Sequence, residues 1–153
     1  MSLDDDVRQL AGVRPLDALP REALQLLAFS CEKRRLSAGE RLFSAGESAD
    51  AAFFVFEGEI VLRDETAERR ASLGALIGAV ALLVETSRPA DAAATRDSVL
   101  LRIPRETFRR VLSEFPESAA KIRRASASRA RRLIGGLETI GLREFHSRSR
   151  VRI

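Results

Sequence analysis

Cysteine and histidine, the side chains that carry most nucleophilic and metal chemistry, occur once each, as Cys31 and His146. Placed so far apart, they cannot together build a structural zinc site, and one cysteine cannot close an internal disulfide. The Gly-x-Ser-x-Gly, P-loop and His-Glu-x-x-His patterns are all missing from the sequence. No catalytic residue and no metal site is therefore assigned, and the chain is not expected to be an enzyme. Cys31 sits where a helical stretch gives way to strands and reads as a small hydrophobe rather than a redox switch. His146 reads as an exposed tail residue.

The remaining chemistry is carried by charge. The chain holds 26 lysines and arginines against 22 acids, a net +4. Lys121, Arg123, Arg124, Arg129, Arg131, Arg132, Arg143, Arg148, Arg150 and Arg152 face only Glu138 and Glu144, so the last stretch is +8 and residues 1–120 are −4. Such asymmetry suits an acidic partner, nucleic acid above all; a solvated helix face in an arginine-rich sequence is the plainer reading.

Elements must position these charges. With 153 residues, 45% hydrophobic and 31% charged, the chain is expected to form one globular domain. No window of about 18 apolar residues occurs, and the opening MSLDDDVRQL is acidic, so neither a membrane span nor a secretory signal is expected and a cytoplasmic location follows. From Leu3 to about Ser30 the apolar spacing predicts a helix or helix pair, with Pro20 in a first turn and Leu24, Leu27 and Ala28 on one face. From Lys33 to about Arg102 short apolar runs are punctuated by Gly39, Gly46, Gly58, Gly74 and Gly78, the pattern of an antiparallel sandwich or barrel. The run AFFVFEGEIVL, residues 52–62, predicts a hairpin turning at Glu57-Gly58.

After Pro104 the helical period returns. PRETFRRVLS places Phe108 beside Val111 and Leu112, and a long helix is expected from Glu117 to about Phe145. Within it Ser126, Ala130, Leu133, Leu137 and Ile140 alternate spacings of four and three, the a/d rhythm of a seam between two helices. A homodimer is the expectation. Gly135-Gly136 within that helix implies a close backbone approach or a bend, since each glycine costs about 1 kcal/mol of helix propensity.

Residues Ala38 to Leu62 resemble the opening strands of the cyclic nucleotide-binding domain family: Gly39-Glu40, Leu42-Phe43, Gly46-Glu47 and Gly58 fall in that family's pattern. The likeness continues through Gly74 and Gly78-x-x-Ala81-Leu82-Leu83, the stretch matching the family's phosphate-binding cassette, and through LLRIPRETFRRVLSEFP. It implies a mainly β fold with flanking helices: a double-stranded β-helix, or jelly roll, with a long C-terminal dimerisation helix. The expected organisation is a helical segment over 1–32, the β-roll over 33–116, the dimerisation helix over 117–145 and a stub over 146–153.

The resemblance places the ligand pocket at Gly78, Ala79, Val80, Ala81, Arg88, Pro89, Ala90 and Asp91. Relatives that bind cyclic AMP carry a glutamate at the position of Ala79, accepting from the ribose hydroxyl, and a serine or threonine at that of Asp91; Arg88 matches the arginine that pairs with the cyclic phosphate. One group survives, one is lost and one is replaced by an anion. A carboxylate beside a phosphate costs about 4 kcal/mol at 4 Å for an effective dielectric near 20, and an unpaired ribose hydroxyl about 1–3 kcal/mol more. Cyclic AMP binding is expected to be weak or absent and no cofactor is assigned. Arg88 and Asp91, three residues apart, either pair with each other, the carboxylate standing in for phosphate, or both point to solvent.

The long helix resembles the dimerisation helix of bacterial Crp/Fnr transcription regulators, and HSRSRVRI, residues 146–153, resembles the entry to their helix-turn-helix domain. DNA contact is thus expected only through a domain absent from these residues, with an unidentified small-molecule effector in the roll. Iron–sulfur and haem sensing are disfavoured by the single cysteine and the tail histidine. The competing expectation is a stand-alone interaction scaffold that binds no small molecule.

Overall fold

The structure, a computed structural model, describes residues 2–132, with side chains to residue 127. Two short helices open it, α1 (Leu3–Leu10) and α2 (Arg21–Ser30), separated by a 3-10 turn at Leu16–Ala18. Ser2 caps α1 by accepting from the Asp5 amide at 3.2 Å, and Asp4, Asp5 and Asp6 place negative charge at the end of the helix that favours it. Pro20 occupies the position just before the first turn of α2, without a side-chain cap bond. Helices α3 (Arg105–Ser113) and α4 (Pro116–Arg132) follow the sheet.

Eight strands lie between: β1 (Glu32–Leu36), β2 (Arg41–Phe43), β3 (Ser48–Ala49), β4 (Ala51–Arg63), β5 (Glu68–Ser72), β6 (Leu76–Ile77), β7 (Thr86–Ser87) and β8 (Asp91–Pro104). All pairings are antiparallel. The main sheet runs β1-β8-β4-β5, with β2 on β8 and β6 on β4, while β3 and β7 form a separate ladder. This is the jelly roll that the family resemblance implied, within the antiparallel sandwich or barrel class expected from the glycine punctuation.

The hairpin expected at Glu57-Gly58 is not there. β4 runs straight through as one 13-residue strand, paired with β8 from Ala51↔Pro104 to Arg63↔Asp91, and the register slips around Glu57 and Glu59. Gly58, at φ +92°, makes a bulge rather than a reversal. A Cβ there would strike Ser98 Oγ and stand 2.5 Å from the Asp97 carbonyl oxygen. The bulge also switches the inward face from odd to even positions. Phe53 and Val55 point into the roll before it, Ile60 and Leu62 after it.

Two cores result. The roll interior gathers Leu36, Phe43, Phe53, Val55, Ile60, Leu62, Ala92, Ala94 and Leu100. The opposite face of the long strands, with Phe54, Phe56 and Leu101, packs against Leu10, Leu16, Leu24, Leu27 and Phe108 of the helical layer. Burying each such phenylalanine contributes about 1.5–3 kcal/mol. In α4, Ser118, Ala119 and Ile122 turn toward this layer, the i, i+4 spacing of one helix face.

Candidate functional site

The cassette starts where Gly78, in the left-handed conformation at φ 76°, turns the chain from β6 into a 3-10 turn at Ala79–Leu82. Glycine adopts that φ without the Cβ penalty. β7 then pairs with β3, and the segment is fastened to the Gly46-Glu47 turn by two backbone bonds: the Gly46 amide donates to the Arg88 carbonyl and the Arg88 amide to the Glu47 carbonyl, both at 2.8 Å. The backbone at residue 88 is thus held on both sides.

Its side chain points inward. Arg88 is 6% exposed. Nη2 donates to the Ala51 carbonyl oxygen at 2.8 Å, and the guanidinium carbon lies 4.3 Å from the Phe43 ring centre and 5.5 Å from that of Phe53. Burial pulls its pKa down from the usual arginine value; Asp50 and Glu47 act in the other direction, and Arg102 adds to the lowering. No carboxylate of the described residues lies within ion-pair distance of it. The charge is stabilised by two aromatic faces and one carbonyl instead.

The Arg88–Asp91 pair is not formed. Asp91 points to the surface, where Oδ1 accepts from the Ala45 amide at 2.7 Å and lies 3.5 Å from Arg41 Nη1. The reason is strand geometry: at the start of β8 Asp91 lies on the face opposite to Ala90 and Ala92, which point into the roll. Arg88 and Asp91 therefore serve the same 44–47 turn from different sides. Pro89 between them is exposed and Ala90 is buried in the roll.

The rest of the expected pocket disperses as well. Ala79 packs in the helical-side core, not in the roll. Val80 is 39% exposed, while Ala81 is buried and presents its carbonyl to Arg105. That arginine was not foreseen. From the first turn of α3, Arg105 Nη1 lies 3.0 Å from the Ala49 carbonyl oxygen, 2.9 Å from that of Ala81 and 3.2 Å from that of Val84. It ties the cassette turn to α3 and to the end of β3. Nothing in the sequence singled it out, because its partners are backbone carbonyls.

Of the expected seam, Ser126 lines a cavity of about 170 Å3 against its own domain, together with Ala79 and Val80. Ser126 follows Ile122 by one turn of α4. The side chain of Ala130 and all of Leu133, Leu137, Ile140 and His146 lie outside the described residues. Cys31 is partly buried against the helical core and burial pushes its thiol pKa up to about 12, with Arg102 opposing. Such a thiol is almost wholly protonated at neutral pH. Among the described residues, no group of His, Cys, Asp and Glu gathers to hold a metal, and no helix is long and apolar enough to cross a membrane.

Comparison with known proteins fits this geometry. The cyclic nucleotide-binding domain model matches residues 33–115. A cyclic nucleotide-binding-like protein from Brucella abortus is 37% identical, with a TM-score of 0.66 over 72% of this chain and 99% of that one. The N-terminal domain of a transcriptional regulator from Streptomyces coelicolor is 27% identical, with a TM-score of 0.75 over 84% of this chain and 94% of that one. Among curated relatives, the lysophospholipase NTE1 of Chaetomium globosum is 30% identical over 145 residues, 90% of this chain but only 10% of its own length. The chain thus spans about a tenth of that relative. With the family model covering more than half of its residues and the fold in agreement, the chain belongs to the cyclic nucleotide-binding domain family.

Proposed function

We propose that the chain is the effector-sensing and dimerisation region of a Crp/Fnr-like transcription regulator, and that its β-roll does not take cyclic AMP in the ordinary way. The observation that carries the second part is the position of Arg88: its guanidinium lies between Phe43, Phe53 and the Ala51 carbonyl. A cyclic phosphate would have to draw it away from these contacts. Inside the roll the ligand would also find no ribose acceptor, since Ala79 packs in the helical-side core, and no hydroxyl from residue 91, whose carboxylate lies on the outer face. Support for the regulator assignment comes from the likeness to the N-terminal domain of the Streptomyces transcriptional regulator over nearly the whole length of that domain.

In that role the domain would have two arrangements of α4 relative to the roll, and an effector binding one of them better would shift the population. DNA would be read by a helix-turn-helix domain carried elsewhere in the regulator. Sedimentation of the 153-residue chain at tens of micromolar tests the dimer: a dimer supports the reading and a monomer removes the seam. A second reading, an interaction scaffold within a larger polypeptide, is favoured by the match to the much longer lysophospholipases. A monomer that also binds no small molecule would favour that scaffold.

A further inference from the structure

Outside the roll, the cavity of about 170 Å3 lies between the cassette turn, the 14–18 segment and α4. Its apolar wall includes Ala18, Ala79, Val80, Leu83, Ile122 and Ala125. An apolar protein cavity of roughly 150 Å3 accommodates benzene. The space therefore suits one small ring or a branched alkyl group.

The charged residues lining it are Arg14, Lys121 and Asp17, all exposed. None of the three forms an ion pair among the described residues. Two cations against one anion leave a single positive charge beside an apolar hole, which suits a monoanion with an apolar body better than a dianion or a neutral polar molecule. Arginine and lysine both supply charge-assisted donors to a carboxylate.

We propose that this cavity binds a small monocarboxylate whose apolar body is about the size of a benzene ring, with the carboxylate at Arg14 and Lys121 and the body against Ala79, Val80 and Ile122. The ligand would bridge the cassette turn and α4, so filling the site would bias the seating of that helix without any ligand in the roll. The inference stands on the cavity alone and does not require the roll to be closed to cyclic nucleotide.

Benzoate is the probe, benzyl alcohol its uncharged counterpart and cyclic AMP the control for the roll, each titrated into the isotope-labelled 153-residue chain and followed by amide NMR shifts. Benzoate is expected to shift residues 79–83 and 121–126 saturably, with a dissociation constant below about 1 mM. The pair Arg14→Gln and Lys121→Gln, both surface changes, should weaken benzoate about tenfold and leave benzyl alcohol unaffected. Ala125→Leu, from an exposed helix position into the cavity, should abolish both, with its melting curve showing that the fold is kept. Benzoate shifts confined to the roll, no saturation by about 10 mM, or unchanged benzoate affinity in the double glutamine variant would each overturn the proposal. Cyclic AMP shifts at residues 43–53 and 88–91 would count against the closed roll and leave the benzoate result to be read separately.

Discussion

Arg88 Nη2 and the Ala51 carbonyl oxygen are 2.8 Å apart, joined across the inside of the roll while Phe43 covers the guanidinium face. The bond links the end of the cassette to the first residue of β4, so the arginine acts as an internal brace. Replacing it tests that role. Arg88→Ala removes the stack on Phe43 and takes a donor from the Ala51 carbonyl, a loss of about 2–3 kcal/mol; Arg88→Met keeps the packing volume and should lose only about 1 kcal/mol. Urea denaturation measures both. Two variants as stable as the parent would mean that the guanidinium braces nothing.

Gly58 and Gly39 share a positive φ but not an environment. At Gly58 a Cβ meets Ser98 and Asp97 of the opposing strand, whereas at Gly39 it meets nothing within 4 Å. Gly58→Ala should therefore cost about 3 kcal/mol or more, and Gly39→Ala only the conformational penalty of about 1–2 kcal/mol. Equal losses in thermal unfolding would show that steric approach is not what fixes glycine at the bulge.

The clamp formed by Arg105 predicts a local effect. Without its contacts to the Ala81 and Val84 carbonyls the cassette turn loses its tie to α3. Arg105→Ala is expected to raise hydrogen exchange at residues 81–84 by about tenfold or more, with less change in the centre of β4 and β8. Uniform acceleration across the sheet would instead assign Arg105 a global role.

Cys31 gives the pH dependence. Its pKa rises from 9.0 to about 12 in the folded chain, chiefly by burial. Below about pH 9 folded and unfolded forms both keep the proton and stability has no slope from this group; between 9 and 12 the unfolded form holds fewer protons, so stability falls as pH rises. Cys31→Ala should flatten that alkaline decline. At pH 8, iodoacetamide should label the native thiol about a thousandfold more slowly than the denatured one. Native labelling at the denatured rate would place the thiol in solvent.

Much of this molecule is readable before any coordinates. The helix–roll–helix order follows from apolar spacing, and Gly39, Gly46 and Gly74 do lie at turns with positive φ. The reading fails at Glu57-Gly58 because a glycine between two apolar runs suits a turn and a bulge equally. The missed clue is the change of parity, Phe53 and Val55 before the glycine and Ile60 and Leu62 after it. An uninterrupted strand with one extra residue explains that change. At the site, the family resemblance picks out Arg88 and the missing acceptor at Ala79, but two side chains three apart pair only where both face the same way. A strand edge puts Asp91 on the outside, against Ala45 and Arg41. Long-range partners such as Arg105 and the Ala81 carbonyl leave no local trace in sequence.

The central claim is that Arg88 is committed to the inside of the roll and the roll does not bind cyclic AMP. Isothermal titration of the 153-residue chain with cyclic AMP to about 1 mM tests it most directly, and the account predicts no saturable heat over that range. Binding at a dissociation constant of about 10 μM or tighter, lost in Arg88→Ala while the variant remains folded, would contradict it.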